Sequence, residues 1–418
     1  MSSSSRLQAL QFALRVAVFL TPLIAGAGLF EIAMYRTGDS WPVTSVIAAQ
    51  EKLKGESIWG RENYSQQYNL SKSAMIRRRN PRIVALGSSR VMEFRAFMFH
   101  PYEDAFYNAG GLIQTANDLA EYARQVSDGR LPRPQAVIVG IDPWWLSEWT
   151  APVEQQSWLD GEPDATYSFA AHVEAARNLL RTGKSNFPWG VVFGSKPATS
   201  PYFDYSAFGI TAVVGGIGER FSDGSYLYTA QLVDFMKNPS YRDRLTTPVL
   251  EQVKHTSFLF RPSSKVESRR VAVLRESLKS LKALGIEVYA YQPPFSSEVL
   301  QALNESQPLA RFWWEYKNDL REQLKQDGID CLPVSSARDY GLDDRYMFDG
   351  LHPGEIYDSY IVEDLVRRAA PGSLLSSVDL TYLANLRKEK NAVPLCFYPP
   401  PKVPGVSENK PAGERIER

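Results

Sequence analysis

The sequence predicts an α/β chain: a three-layer α/β/α sandwich with a mostly parallel sheet, one N-terminal transmembrane helix and an inserted cap region. Three observations predict it. Short apolar runs at 83–86, 136–139 and 286–292 alternate with segments of helical spacing, the pattern of parallel strands covered on both faces. An apolar stretch near the N-terminus, broken only by Glu31, has nearly the length of a bilayer-crossing helix. Residues 144–265 break the alternation with Gly- and aromatic-rich pieces, too long for a structureless loop, and read as an insertion near the strand ends.

Bulk composition narrows the function classes. The chain has 418 residues, enough for one large domain with insertions or for two. Lys+Arg 47 against Asp+Glu 47 leaves no net charge, which argues against a dedicated nucleic-acid binder. Two cysteines, Cys331 and Cys396, make no disulfide framework. No histidine or cysteine pair has zinc-ligand spacing, so we expect no metal, and nothing calls for a cofactor.

In chain order, residues 1–15 read as a cytoplasmic N-terminus and 16–35 as the anchor. Val16 to Met34 is 19 residues interrupted only by Glu31, against roughly 20 needed to cross a bilayer. Arg6 and Arg15 on the N-terminal side place that end in the cytoplasm and the rest of the chain outside it. A cleaved signal peptide competes, because Ala25-Gly26-Ala27 resembles a cleavage site; it lies inside the apolar run rather than after it. Residues 36–80 read as a juxtamembrane linker. They end in the basic run Arg77-Arg78-Arg79, a solvated face or a contact for a polyanion.

An α/β domain is predicted over 81–370, and the residues and resemblance described below make it the catalytic one. Ile83-Val84-Ala85-Leu86 is a buried strand, Gly87-Ser88-Ser89 a tight turn, and Val91 to Phe99 a helix. Ala105 to Gly111 is a strand closing on two glycines, and Gln114 to Ser127 a helix. Ala136 to Ile141 is a strand halted by Pro143. Val266 to Leu284 is a helix stopped by Gly285, followed by the strand Ile286 to Gln292. Pro308 to Gln326 is a helix leading into Ile329 to Val334. Residues 371–418 read as a polar, partly disordered tail.

Two stretches carry chemistry. A serine on a strand-to-helix turn, beside unpaired backbone N–H groups, is placed to act as a nucleophile next to an oxyanion; the bland alternative is an N-capping serine. Phe348-Asp349-Gly350-Leu351-His352-Pro353 brings an aspartate and a histidine onto one loop, where the carboxylate can fix the imidazole tautomer. The pair Trp144-Trp145 reads either as core or as a platform that stacks on sugars. Arg90 either meets an anionic group or pairs structurally.

These blocks, in this order, resemble the SGNH (GDSL-like) hydrolase superfamily, whose sheet is flavodoxin-like. The Gly87-Ser88-Ser89-Arg90 form, the N-terminal anchor and Asp142-Pro143-Trp144-Trp145 are most similar to its DltD- and AlgJ-like branch. The resemblance covers roughly 83–145 and 286–368. It implies a Ser89 nucleophile, His352 as general base and Asp349 as its orienter. It also implies an oxyanion hole built from Ser89 and either Gly110 or Gly111. Arg90, Trp144 and Trp145 would contact substrate. The third block departs from the family's Gly-x-Asn-Asp: Gly140-Ile141-Asp142-Pro143 puts Asp142 where an asparagine would donate to the oxyanion, which an ionised carboxylate cannot do. The implied function is a membrane-anchored, extracytoplasmic (periplasmic or cell-surface) acyltransferase or esterase. It would act on a surface or secreted polysaccharide, with O-acetylation expected, beside a membrane-bound O-acyltransferase partner. A hydrolytic deacetylase and a non-catalytic glycan-binding scaffold are the alternatives.

Overall fold

The computed structural model describes residues 3–60, 68–150, 188–194, 198–238, 240–261, 263, 265–334, 336–388 and 394–397. The chain is mixed α/β with a parallel sheet. It divides into two units, Met1–Tyr64 with Ala165–Gly218, and Ser65–Asp164 with Glu219–Arg418.

The first unit is built on one helix, Ser3–Thr37, whose segment Leu10–Thr37 is long and apolar enough to cross a membrane, its most apolar 18 residues having a mean hydropathy of 1.9. The helix therefore extends well beyond the expected 16–35 and continues through the segment read as a cytoplasmic N-terminus. Its C-terminal end is packed: Ala33 and Met34 cluster with Val192 and Ile210. Residues 36–80 are not a linker. Within this unit, helix Val43–Gln50 buries Val43, Val46 and Ile47, and strand Ser57–Trp59 pairs in parallel with Ser206–Phe208. The remainder of the segment, in the second unit, holds helix Tyr68–Arg79, which buries Met75 and Ile76. Apolar spacing in these short elements was too brief to stand out as a period, which is why they read as spacer.

The second unit holds a five-stranded parallel sheet: Phe106–Gly110, Ile83–Gly87, Ala136–Gly140, Glu287–Tyr291, Cys331–Leu332. In chain order this is 2-1-3-4-5, so the order reverses between the first strand and the third. In open sheets of this kind ligands sit outside the carboxyl ends of the strands at that reversal. Side chains alternate between faces. Ile83, Ala85, Ala136 and Ile138 join one core with Ile356, Tyr357, Ile361 and Leu365 of helix Glu355–Arg368. Val84, Leu86, Val137 and Val139, on the opposite face, are also fully buried.

The long predicted helices form, with clear causes. Ala116–Ser127 starts at Thr115, whose hydroxyl accepts from the Asp118 N–H, and buries Leu119, Tyr122, Ala123 and Val126 at helical spacing. Ser268–Ala283 is capped by Glu267, buries Val271, Leu274, Leu278 and Leu281, and ends ahead of Gly285 at φ +75°. These two helices pack against each other. The helix predicted over 308–326 forms as Ala310–Trp314 and Leu320–Gln326 joined by a π-helical turn, Glu315–Asp319. Val91 to Phe99 is not an α-helix: Ser89–Val91 and Ala96–Phe99 are separate 3₁₀ turns.

Two domain expectations change. The 144–265 insertion is not one body, since 198–218 belongs to the first unit and 219–265 to the second; most of its middle, 151–187, lies outside the described residues. The tail begins later than expected: helix Leu380–Leu386 and the buried Leu375, Val378, Leu383, Leu395, Cys396 and Phe397 are part of the fold. Residues 398–418 lie outside the described residues.

Candidate active site

Ser89 opens its 3₁₀ turn one residue beyond the first strand. Gly87 makes this turn feasible. A Cβ there would overlap the Val91 side chain and press to 3.1 Å from the Gly140 carbonyl oxygen, so only glycine lets the two strand ends approach. Ser88 is the N-cap, its Oγ accepting from the Arg90 N–H at 3.3 Å. With Ser88 serving as the cap, Ser89 is left to face outward, partly exposed.

The second half of the site is the loop 346–354. It is closed by the Phe348 N–H donating to the His352 carbonyl (2.9 Å) and the Gly354 N–H to the Tyr346 carbonyl (2.8 Å). Gly350 at its tip has no room for a side chain, because a Cβ would lie 2.6 Å from Val299 Cγ2 and 3.2 Å from Val249 Cγ1. Asp349 Oδ1 accepts from the N–H groups of Leu351 (2.6 Å) and His352 (2.8 Å), which leaves Oδ2 for the ring.

The structure brings the three residues into line. His352 Nδ1 lies 2.8 Å from Asp349 Oδ2, and His352 Nε2 lies 2.9 Å from Ser89 Oγ. The tautomer follows from the partners. Burial works to raise the Asp349 carboxyl, but the His352 ring and the two backbone N–H groups outweigh it and hold the carboxyl below its ordinary range. An ionised carboxylate only accepts, so Nδ1 carries the proton and Nε2 accepts from the serine hydroxyl. Chemically, this is a hydroxyl beside a base whose orientation is fixed.

The neighbours behave otherwise than expected. Arg90 is 1 % exposed and takes the structural of its two readings. Its Nη1 meets Asp142 Oδ1 at 2.9 Å, its Nε donates to the Leu351 carbonyl at 3.0 Å, and its Nη2 donates to the carbonyls of Pro293 (2.9 Å) and Pro294. The guanidinium carbon also lies 4.1 Å from the centre of the Phe295 ring. Arg90 therefore ties the Ser89 turn to the ends of the third and fourth strands and to the histidine loop. Buried and bonded to these four groups, it is closed to a substrate anion. Asp142, wholly buried, is its counter-ion rather than an oxyanion ligand. Burial raises the Asp142 carboxyl, opposed by Arg90 and by the Ser88 hydroxyl beside it. Trp145 is fully buried and Trp144 is 9 % exposed, its ring 5.5 Å from the Arg90 guanidinium, so the pair is core and not a sugar platform.

Both candidate oxyanion glycines are also committed. The Gly110 N–H donates to Asn108 Oδ1 at 2.7 Å, and the Gly111 N–H to the carbonyls of Gly87 (2.8 Å) and Ser88 (3.1 Å). Among the described residues the Ser89 N–H, at the open start of its turn, has no acceptor and remains for an oxyanion. Sequence reasoning missed Asn108, whose Nδ2 also donates to the Val91 and Phe94 carbonyls at 2.8 and 2.9 Å. A fully buried asparagine in the strand Phe-Tyr-Asn-Ala-Gly was the available signal. It missed Tyr228 as well, whose ring lies 6.0 Å from that of His352; nothing in the local sequence pointed to it. Among the described residues no cluster of His, Cys, Asp or Glu could hold a metal ion. No protein-family model, curated protein or solved structure matches the chain.

Proposed function

We propose that the chain is an SGNH-like acyltransferase or esterase with Ser89 as nucleophile, anchored in a membrane by helix Ser3–Thr37 with its catalytic unit outside the cytoplasm. The observation that carries the proposal is the unbroken relay of Ser89 Oγ, His352 Nε2, His352 Nδ1 and Asp349 Oδ2 through contacts of 2.9 and 2.8 Å. The strand order 2-1-3-4-5, burial of both sheet faces and the site's place at the reversal of that order support an SGNH-like three-layer sandwich.

In the first half-reaction Ser89 Oγ attacks an acyl carbonyl carbon while His352 Nε2 takes its proton. The tetrahedral intermediate collapses, and the leaving alcohol departs with that proton. In the second, an acceptor hydroxyl gives its proton to Nε2 and attacks the acyl-serine, and Ser89 leaves reprotonated. The oxyanion site is sparse, with the Ser89 N–H present and the glycine N–H groups and Asp142 engaged elsewhere. One absent donor costs on the order of 10²–10³ in rate. Such a site suits an acyl carrier, whose ester must outlast the wait for its acceptor, better than a fast hydrolase. The polysaccharide acceptor, acetyl as the acyl group and a membrane-bound O-acyltransferase as the donor partner rest on the resemblance of residues 87–90, 142–145 and 349–352 to the DltD- and AlgJ-like branch.

The test uses the full chain in detergent with a chromogenic acetyl ester, with and without an oligosaccharide acceptor. Acetylated Ser89 should be found by mass spectrometry after quenching, and Ser89→Ala should abolish both label and turnover. Unchanged turnover in Ser89→Ala refutes the nucleophile. Free acetate as the sole product in the presence of acceptor leaves the esterase and removes the transferase.

A further inference from the structure

The short helix Trp189–Phe193 turns its apolar residues two ways. Val192 faces inward, 6 % exposed, and packs with Ala33, Met34 and Ile210 against the end of the long helix. Trp189 and Phe193 face outward at 51 % and 70 % exposure, their rings stacked 5.8 Å apart. Arg36, at the end of the long helix, donates to the Gly194 carbonyl and so fixes the far end of the segment. An exposed tryptophan stacked on an exposed phenylalanine is costly in water, and water is not the only medium here.

Depth follows from the helix itself. A hydrocarbon core of roughly 30 Å takes about 20 helical residues at about 1.5 Å each. Counted from Arg15, the last charge before the apolar run, that length ends near Tyr35 and Arg36. Residues 33–36 hold the Trp189–Phe193 segment, with Leu29 and Phe30 packed against the same cluster. The two exposed rings therefore lie level with the outer boundary of the hydrocarbon, the layer where tryptophan and other amphipathic aromatics concentrate. We propose that residues 188–194 form an interfacial foot, with Trp189 and Phe193 inserted at the headgroup–acyl boundary of the bilayer that the Ser3–Thr37 helix crosses. This rests on the membrane-spanning reading of that helix and adds to it a second lipid contact, which restricts tilt and rotation of the helix about its outer end.

The test places an environment-sensitive dye on Gly190→Cys, an exposed position with open space around its Cβ. Gly26→Cys, near the middle of the span and equally open, serves as the reference. Both native cysteines are buried, and the parent chain must take up no dye. The full chain goes at low density into vesicles of phosphatidylethanolamine and phosphatidylglycerol, with quenchers on the headgroup side, at the acyl end, or dissolved as iodide. The expected result is a blue-shifted Gly190 label quenched most by the shallow lipid probe, and a Gly26 label quenched most by the deep one. A Gly26 label reached by the deep probe beside a Gly190 label reached only by iodide overturns the foot and leaves the anchor standing. A Gly190 label shielded from iodide and from both lipid probes marks a protein contact and also overturns it. A Gly26 label open to iodide overturns the anchor and the foot together.

Discussion

Replacing Arg90 by methionine keeps the stem and removes the charge, and the structure sets the size of the effect. Asp142 is left wholly buried without its counter-ion, and the Leu351 and Pro293 carbonyls lose their donor. Breaking a buried pair in this way costs about 3–5 kcal/mol. Asp142 can escape by taking up a proton. From an unfolded value near 3.9, that costs about 4 kcal/mol at pH 7 and about 1.5 kcal/mol at pH 5, at roughly 1.36 kcal/mol per unit. Because burial already raises the Asp142 carboxyl in the wild type, the stability deficit of Arg90→Met should be smaller at pH 5 by up to about 2–3 kcal/mol. Adding Asp142→Asn should recover most of the same amount at pH 7. The assay is urea unfolding of the full chain in detergent, followed by tryptophan emission, since Trp144 lies beside the guanidinium. A deficit equal at both pH values, or a double variant no more stable than Arg90→Met, would refute the view that Arg90 is held chiefly by charge. Acylation of Ser89 should fall in both variants, because the Leu351 carbonyl tie that steadies the histidine loop is gone in each.

Two further expectations concern the same unit. Asp349→Asn keeps the shape of the loop but lets Nε2 carry the proton, so the acylation rate should drop by about 10³–10⁴-fold with ester binding unchanged; a loss under tenfold would remove Asp349 from the relay. Glu93 is buried, bonded to Arg95 at 2.6 Å, and burial pushes its carboxyl up to about 8 against the pull of Arg95, with Glu355 and Asp223 adding to the rise and Arg220 opposing it. The folded chain thus holds a proton there that the unfolded chain has released, so stability from this group is full below an unfolded value near 4.3 and is lost as pH rises through about 8. Wild type measured against Glu93→Gln should lose on the order of 1 kcal/mol per pH unit across that window; parallel stability curves would contradict it.

Much of this was legible in the residues, and the limits have physical causes. The strands at 83–87 and 136–140 fall where β-branched runs stand between helical periods, because parallel strands buried on both faces have a signature of their own, while the half-buried 287–291 was marked by Gly285 ahead of it and Pro293-Pro294 behind. Ser89, Asp349 and His352 were found because their chemistry is local: a small-residue turn, and a carboxylate three residues before an imidazole. What escaped is what depends on distant partners. Whether Arg90 reaches a substrate or Asp142 is decided by the meeting of four segments, and no window of sequence contains that. The same holds for Trp144 and Trp145, whose burial depends on the chain that folds over them. Gly111 looked available because the Gly87 and Ser88 carbonyls accept its N–H only once the first two strands pair, whereas Gly110 is taken by a near neighbour, Asn108 Oδ1.

The separation between Ser89 and His352, 263 residues, has a consequence in time. At synthesis rates of roughly 5–20 residues per second, the serine leaves the ribosome about 13–50 s before its base. Arg90 cannot finish its bonds until Leu351 arrives, so throughout that interval the hydroxyl is no more reactive than any other serine. A chain that stops short of His352 holds Ser89 without the imidazole that faces it. The Ser89–His352 contact exists only after the loop 346–354, which follows the last strand, has docked, so quality control of the nascent protein meets Ser89 without its partner.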